Sequence, residues 1–229
     1  MDGEGQTLNF DLRTATSLRA MGPLGATVAI LIVASVLLAP PIAAVLVFLW
    51  VWLSRTPLRE IGLVRPDSWL GVIVFGVIAG VGAMLLMKAV VMPYFGAPPT
   101  NPVLAPYIGN LDAALIGTVE MIILAGLAEE IVFRGFLFNR LQVAFGTGWF
   151  ARALMIAGVA LFFGGLHYFG QGYFGALNAT IMGFLFCVIY FLNKQRLWFL
   201  IVMHSAFDVC AVWLTYLGIE EQVARSVFG

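Results

Sequence analysis

Long apolar runs separated by short polar connections dominate the chain. The predicted spans are 24–54, 69–92, 112–142, 150–168, 174–192 and 197–217. A membrane-spanning helix needs about 20 apolar residues, and these segments are close to that length or exceed it. The pattern therefore predicts an all-α polytopic membrane protein with about six transmembrane helices, of which the first is kinked by proline or split.

The first apolar run is about 31 residues long and contains Pro40-Pro41 near its middle. It forms either one long kinked helix or a tight hairpin of two short helices. Arms of about 15 residues, rising about 1.5 Å per residue, are short for a span, which favours the single kinked helix. The distribution of charge favours the hairpin, because a single span would place Arg13 and Arg19 outside the cell.

Basic residues are concentrated in three of the connections between spans. These residues are Arg55, Arg59 and Arg65, then Arg140 and Arg152, then Lys194 and Arg196. The loops at 93–111 and 169–173 contain no Lys or Arg. By the positive-inside rule the three basic connections face the cytoplasm, and we predict a location in the bacterial inner membrane.

Composition agrees with a membrane protein and gives no indication of a nucleic-acid partner. The chain is 62% hydrophobic and only 10% charged, whereas soluble domains carry about 25% charged residues. Net charge is zero, and there is no basic tract or glycine-rich phosphate loop. We divide the chain into an N-terminal surface segment (1–23), two N-terminal spans with an external loop (24–111), a core (112–217) and a C-terminal tail (218–229).

Two adjacent carboxylates and an arginine interrupt the third apolar run, where a charge costs a few kcal/mol on insertion scales. Glu130 and Arg134 are four residues apart, which is the spacing of a helical ion pair. Glu129 lies about 100° around the helix from Glu130 and points elsewhere, as a general base would. The alternative is a buried charge cluster that only fixes helix packing.

Both histidines of the chain also lie in apolar runs. His167 follows Phe163 by one helical turn, so that the ring can pack against the imidazole. His204 and Asp208 share one helix face and can act as a ligand pair, an acid–base pair, or a donor with its orienting acceptor. Alternatively, either histidine is only a hydrogen-bonded residue between helices. We expect the histidines and Glu129 to converge on one site.

Three further polar residues in the spans receive structural interpretations. Lys88 and Glu120 have comparable depths, and we predict that they form an ion pair. Glu120 lies about 180° around the helix from Glu129 and is therefore not expected at the same site. Asn178 is expected to form a hydrogen bond between helices.

Three motifs occur in order along the second half of the chain. They are Glu129-Glu130-x-x-x-Arg134, Phe163-x-x-x-His167 and His204-x-x-x-Asp208. Together they resemble the CPBP family, the intramembrane proteases related to the type II CAAX prenyl endopeptidase and also called the Abi family. The resemblance covers about residues 112–215 and implies a four-helix catalytic core.

The resemblance also implies roles for these residues. Glu129 and His167 would activate a water molecule for attack on a peptide carbonyl. Glu130, together with the arginine four residues later, would shape and hold the site. His204 and Asp208 would stabilise the developing oxyanion.

The last motif departs from the prenyl endopeptidase, which has an asparagine at the position of Asp208. An amide can donate a hydrogen bond to an oxyanion, whereas an ionised carboxylate cannot. Asp208 is therefore protonated, or orients His204, or belongs to a cation site. In the last case Glu129, His167, His204 and Asp208 would supply nitrogen and oxygen ligands for zinc. The cofactor prediction is accordingly none or Zn²⁺.

The leading functional hypothesis is an intramembrane endopeptidase, glutamate-type or metal-dependent, that acts on a membrane-associated peptide or protein. Its partners would be that substrate and the lipid bilayer, and its site would open toward the cytoplasmic side or the bilayer. One alternative is a non-enzymatic membrane adaptor or bacteriocin-immunity protein on the same fold. Another is a small transporter with a proton relay, which is disfavoured because the sequence shows no internal repeat.

Overall fold

In the computed structural model, residues 12–228 are described, and within them the chain is helical with connecting turns and no strand. The helices are α1 (Leu12–Arg19), α2 (Pro23–Ala34), α3 (Pro40–Ser54), α4 (Trp69–Tyr94), α5 (Leu111–Phe145), α6 (Trp149–Leu192), α7 (Trp198–Tyr216) and α8 (Glu220–Ala224). Short 3₁₀ turns occur at Ser35–Leu37, Leu58–Ile61 and Pro102–Tyr107. The all-α prediction is confirmed. Of the predicted surface segment 1–23, residues 1–11 lie outside the described part.

Within residues 12–228, four helices (α4 to α7) are long and apolar enough to cross a membrane, or five spans if the bent segment 12–37 counts as one. Helix α6 has 44 residues, about 66 Å at 1.5 Å per residue, which exceeds a hydrocarbon core of about 30 Å. It bends at Gly172, whose φ of 66° suits a glycine. The two arms fold back on each other, since a Cβ on Gly164 would lie 2.7 Å from the carbonyl oxygen of Ala176. The arms correspond to the spans predicted at 150–168 and 174–192.

The first apolar run is a hairpin, so the preferred prediction of one kinked helix is wrong. Ala39 is extended (φ −170°, ψ 136°) because a residue that precedes proline is driven out of the helical region. The chain reverses there, and α3 returns along α2. As a result Trp50 Nε1 donates to the carbonyl oxygen of Leu18 at 3.3 Å, although the two residues are 32 apart in sequence.

The hairpin brings the basic connections to one end of the molecule. Arg19 forms an ion pair with Glu60 at 2.8 Å, and the Leu197 amide donates to the Gly62 carbonyl at 2.9 Å. We call this the basic end. The basic end includes Arg19, so Arg19 lies on the same side as the basic connections, as the distribution of charge along the sequence predicted. The opposite end, here called the loop end, contains Gly172, the 95–110 loop and α8.

Close approaches to α7 fix the position of the motif that begins at His204. A Cβ on Gly80 of α4 would lie 2.2 Å from the Met203 carbonyl oxygen, and one on Gly126 of α5 would lie 1.9 Å from Ser205 Oγ. Any larger side chain would push the helices apart. Gly76 approaches α7 in the same way, so α4 and α7 pack through small residues at Gly76 and Gly80.

The middle of α5 is wound as a π-helix over Met121–Glu129 and Ile131–Leu137. Such segments often occur at functional sites. The winding is wider than the 3.6 residues per turn assumed from the sequence. All residues from Ile131 to Phe136 are buried, so this part of α5 lies inside the helix bundle.

The predicted Lys88–Glu120 ion pair is wrong. Lys88 pairs with Glu220 of α8, and Glu220 also accepts a hydrogen bond from the Asn101 amide at 3.0 Å. Glu120 is exposed. The sequence analysis missed this partner because α8 lies outside every predicted span and meets α4 only through the tertiary fold.

Candidate active site

Glu130 is the centre of the charged residues and is completely enclosed by protein. Its Oε1 accepts hydrogen bonds from Arg134 Nη1 and from His204 Nδ1, both at 2.8 Å. The first contact is the helical ion pair expected from the sequence, and the second joins α5 to α7. Arg134 also donates to the Gly183 carbonyl in the second arm of α6, at 3.2 Å. We call Glu130, Arg134 and His204 the buried ion cluster.

Aromatic rings close the space around this cluster. The Arg134 guanidinium lies 4.8 Å from the centre of the Phe163 ring and 5.3 Å from that of Phe186. Phe186 also packs against the His204 ring, with 4.7 Å between centroids. A desolvated cation–π contact contributes about 2 kcal/mol or more. The rings therefore hold the charges in a site without solvent. The sequence motif included Phe163, whereas Phe186 lies in an apolar run and carried no signal.

Glu129 points away from the cluster that holds its neighbour. Its side chain is 14% exposed, and it faces a cavity of about 310 Å³. Its Oε2 is buried without a hydrogen-bond partner and lies 4.0 Å from His204 Nε2. The two adjacent glutamates thus have different environments. Glu130 is enclosed by protein and paired through Oε1, although its Oε2 has no partner, whereas Glu129 faces the cavity.

His167 lines the same cavity as Glu129. Its Nδ1 lies 2.8 Å from the Phe163 carbonyl oxygen. A carbonyl only accepts, so Nδ1 donates, and Nε2 of the neutral ring remains as an acceptor. The Phe163 ring packs against the imidazole at 4.6 Å, as predicted. Within the described residues no hydrogen bond or ion pair joins His167 to Glu129, so a water molecule or a substrate can lie between them.

Asp208 and His204 meet on one face of α7. Asp208 Oδ2 lies 3.3 Å from His204 Nε2. Since Nδ1 donates to Glu130, both ring nitrogens of His204 face carboxylates. In this arrangement Asp208 acts as an acceptor that orients the imidazole.

The donor atoms do not fit the zinc ligand set that was one of the sequence-based alternatives. Among residues 12–228, no group of three or more His, Cys, Asp or Glu side chains is arranged to hold a metal ion. The Nδ1 hydrogen bonds of His204 and His167 are of the kind that metal-binding histidines also make, so the misfit lies in the spacing of the side chains. We therefore derive no step through a metal.

Asn178, on the second arm of α6, also lines the cavity. Its Oδ1 is buried and has no hydrogen-bond partner. The hydrogen bond between helices expected from the sequence is therefore not formed by this oxygen. Asn178 is the polar cavity residue whose position the sequence analysis misjudged.

The cavity extends from these residues to the loop end. Its wall there is formed by Asn101, Val103, Leu104 and Tyr107. A smaller recess of about 210 Å³ reaches Glu129 and His167 from the side, beside Val36 and Pro40 at the tip of the α2–α3 hairpin. Within the described residues, neither space is lined by a residue of the basic connections.

Comparison with known proteins identifies one family. Residues 111–210 match the family model described as Rce1-like, type II CAAX prenyl endopeptidase Rce1-like. The match confirms the resemblance predicted from the three motifs, and it includes all of them. No curated protein and no solved structure gives a significant match to the chain.

The family match and the apolar helices together indicate the class of protein. The chain is an integral membrane protein, and its residues 111–210 are similar to the type II CAAX prenyl endopeptidases. The family match extends over α5, α6 and most of α7, the three helices that carry the cluster and the cavity residues.

Proposed function

We propose that this protein is an intramembrane endopeptidase in which Glu129 and His167 activate the water molecule that attacks a peptide bond. The observation that carries the proposal is that two side chains of one cavity each have an acceptor atom without a protein hydrogen-bond partner. Glu129 Oε2 has no partner, and His167 Nε2 is an available acceptor because Nδ1 donates to a carbonyl. Both atoms belong to side chains that line the same cavity.

The reaction follows from these two acceptors. A water molecule between Glu129 and His167 transfers a proton to one of them as its oxygen bonds to the peptide carbonyl carbon. The tetrahedral intermediate then collapses, the C–N bond breaks, and the proton passes to the leaving amine. General acid–base transfer of this kind contributes about 10²–10⁴-fold. The buried ion cluster holds His204 against the cavity throughout and takes no part in the proton transfer.

We further propose that the reaction is of the glutamate type and needs no metal. The support is the arrangement of the acidic and histidine side chains, because within residues 12–228 no three of them are placed to hold a metal ion. A chelator tests this point. Activity that survives 1,10-phenanthroline supports the proposal, whereas activity that is lost and then restored by added Zn²⁺ contradicts it.

We place the basic end in the cytoplasm of a bacterial cell, following the positive-inside rule. The loop-end lining of the cavity then supports access from the opposite side, or laterally beside the α2–α3 hairpin. Lateral access agrees with the opening to the bilayer expected from the sequence, whereas access from the opposite side differs from the cytoplasmic alternative. A single cysteine at Val103, on a background without Cys187 and Cys210, should react with an impermeant maleimide in intact spheroplasts. Reaction only in inverted vesicles would contradict this orientation.

A cleavage assay tests the function. Purified protein in nanodiscs is incubated with internally quenched peptides that contain apolar segments, one of them farnesylated at a C-terminal cysteine. We expect cleavage by the wild type and losses of about 10²-fold or more for Glu129→Ala and His167→Ala. Glu120→Ala is the matched control, because Glu120 is an exposed carboxylate on the same helix outside the cavity.

The adaptor or immunity hypothesis makes the opposite prediction for this experiment. The wild type would cleave no peptide, and Glu129→Ala would keep the cellular effect of the protein. That pair of results would overturn the proposal.

A further inference from the structure

The proposed reaction needs a hydrogen-bond donor for the oxyanion, and this inference rests on that proposed function. His204 directs Nδ1 to Glu130 at 2.8 Å and Nε2 to Asp208 at 3.3 Å. An ionised Asp208 accepts hydrogen bonds and cannot donate one. None of the residues in the three motifs therefore has a neutral hydrogen-bond donor that is still free to bind the developing negative charge.

Asn178 has the chemistry that is missing. A side-chain amide has two N–H donors and is uncharged, so it can stabilise an oxyanion without disturbing the nearby ion cluster. Its Oδ1 is buried with no partner, and within residues 12–228 no protein group accepts a hydrogen bond from its Nδ2. The protein therefore does not occupy the two N–H donors of this cavity residue, and they are free to bind a ligand.

The fold also brings Asn178 to the correct region of the cavity. In the α6 hairpin, Gly164 lies against Ala176 and Thr180, which flank Asn178, so Asn178 lies about one helical turn from the height of His167. Asn178 and Phe186 both line the cavity, and their spacing of eight places them on one helix face. Phe186 contacts the His204 ring.

We propose that Asn178 is a catalytic residue whose amide donates a hydrogen bond to the oxyanion of the tetrahedral intermediate. It supplies from α6 the donor that an asparagine at the position of Asp208 would supply from α7. Asp208 is then left to orient His204. The inference adds to the motif residues a donor that none of the three motifs contains.

The test compares steady-state kinetics of variants in the nanodisc cleavage assay. Asn178→Leu removes the donor at similar volume, and Asn178→Asp removes it with the same shape. We expect kcat to fall by about 10²–10³-fold, as for loss of an oxyanion donor, with KM within about threefold of the wild type. Gln222→Leu is the control, since Gln222 is an exposed amide on α8 that does not line the cavity, and it should keep kcat within about threefold.

A second-site variant separates catalysis from packing. Adding Asp208→Asn to Asn178→Leu places an amide on the opposite wall of the same cavity. We expect it to raise kcat at least about tenfold above that of Asn178→Leu alone, because part of the oxyanion contact returns. A purely structural role of Asn178 would not be restored by a change on α7. Thermal unfolding of each variant shows that the fold is retained.

The outcomes distinguish this inference from the proposed function. If Glu129→Ala abolishes cleavage while Asn178→Leu and Asn178→Asp keep kcat near the wild-type value, only the Asn178 assignment fails. It also fails if the loss appears in KM, or if Asp208→Asn does not restore kcat. A wild-type protein that cleaves no peptide overturns both.

Discussion

Two regions of this protein lie side by side and differ in how their polar atoms are satisfied. In the buried ion cluster, Glu130 accepts two hydrogen bonds at 2.8 Å, and Arg134 also reaches a backbone carbonyl. Across the adjacent cavity wall, formed by Glu129, His167 and Asn178, polar atoms are left without protein partners. Glu130 Oε2 and Arg134 Nε also lack a partner, so what separates the two regions is enclosure and ion pairing. The cluster is enclosed by protein and held by its ion pair, whereas the cavity wall borders open volume in which we propose that a substrate binds.

The same helices supply both regions, so the difference arises from small changes in position. Glu129 and Glu130 are neighbours in sequence, yet only Glu130 contacts His204 directly. The close approach of Gly126 to Ser205 presses α5 against α7 and places His204 over Glu130. Glu129 is thereby directed into the cavity.

The largest effect on stability should come from breaking the cluster. Arg134→Met leaves the enclosed Glu130 carboxylate without its guanidinium, and removing one partner of a buried pair costs about 3–5 kcal/mol. The free energy of unfolding in mixed micelles measures this cost. The double variant Glu130→Leu with Arg134→Met should be more stable than Arg134→Met alone, since no carboxylate is then left unpaired. Equal stability of the two variants would show that the cluster is not the structural unit described here.

An intermediate effect is expected at the ion pair of the loop end. Lys88→Met removes one donor from Glu220, which keeps hydrogen bonds from the Asn101 amide and from the Thr215 hydroxyl. We expect a loss of about 1–3 kcal/mol in the free energy of unfolding. Arg19→Met is the control at an exposed pair and should cost less than about 1 kcal/mol. A loss as large as that of Arg134→Met would remove the distinction between the two ion pairs.

The smallest effect on stability should come from the cavity wall. Glu129→Gln changes a side chain whose Oε2 has no partner, so the free energy of unfolding should stay within about 1 kcal/mol of the wild type. The same variant should lose most of its peptidase activity. Thermal unfolding and cleavage measured on one preparation test both expectations. A destabilisation comparable to that of Arg134→Met would show that Glu129 belongs to the structural cluster.

Much of the local structure could be predicted from the sequence. The apolar runs predicted the helices, and the spacing of Glu130 and Arg134 predicted their ion pair, which forms at 2.8 Å. These features depend on residues at most four positions apart, whose geometry a helix determines by itself. The packing of the Phe163 ring against His167 follows from the same rule.

Contacts between distant segments could not be predicted in this way. The wrong expectations were the single first helix and the Lys88–Glu120 pair, and the expected hydrogen bond from Asn178 Oδ1 is not formed. In each case the positions of the residues along the sequence allowed more than one arrangement. The arrangement that forms depends on three features of the tertiary fold, which are the chain reversal at Ala39, the docking of α8 and the bend of α6 at Gly172.

The sequence by itself thus determined the membrane-embedded helices and the motif pairs along each helix, because both follow from hydrophobicity and helical periodicity. Only the tertiary structure decided that Glu130 contacts His204 while Glu129 and Asn178 face the cavity. The physical reason is that the rotation and height of one helix relative to another depend on close packing at residues such as Gly80 and Gly126, and periodicity along a single helix carries no information about these contacts.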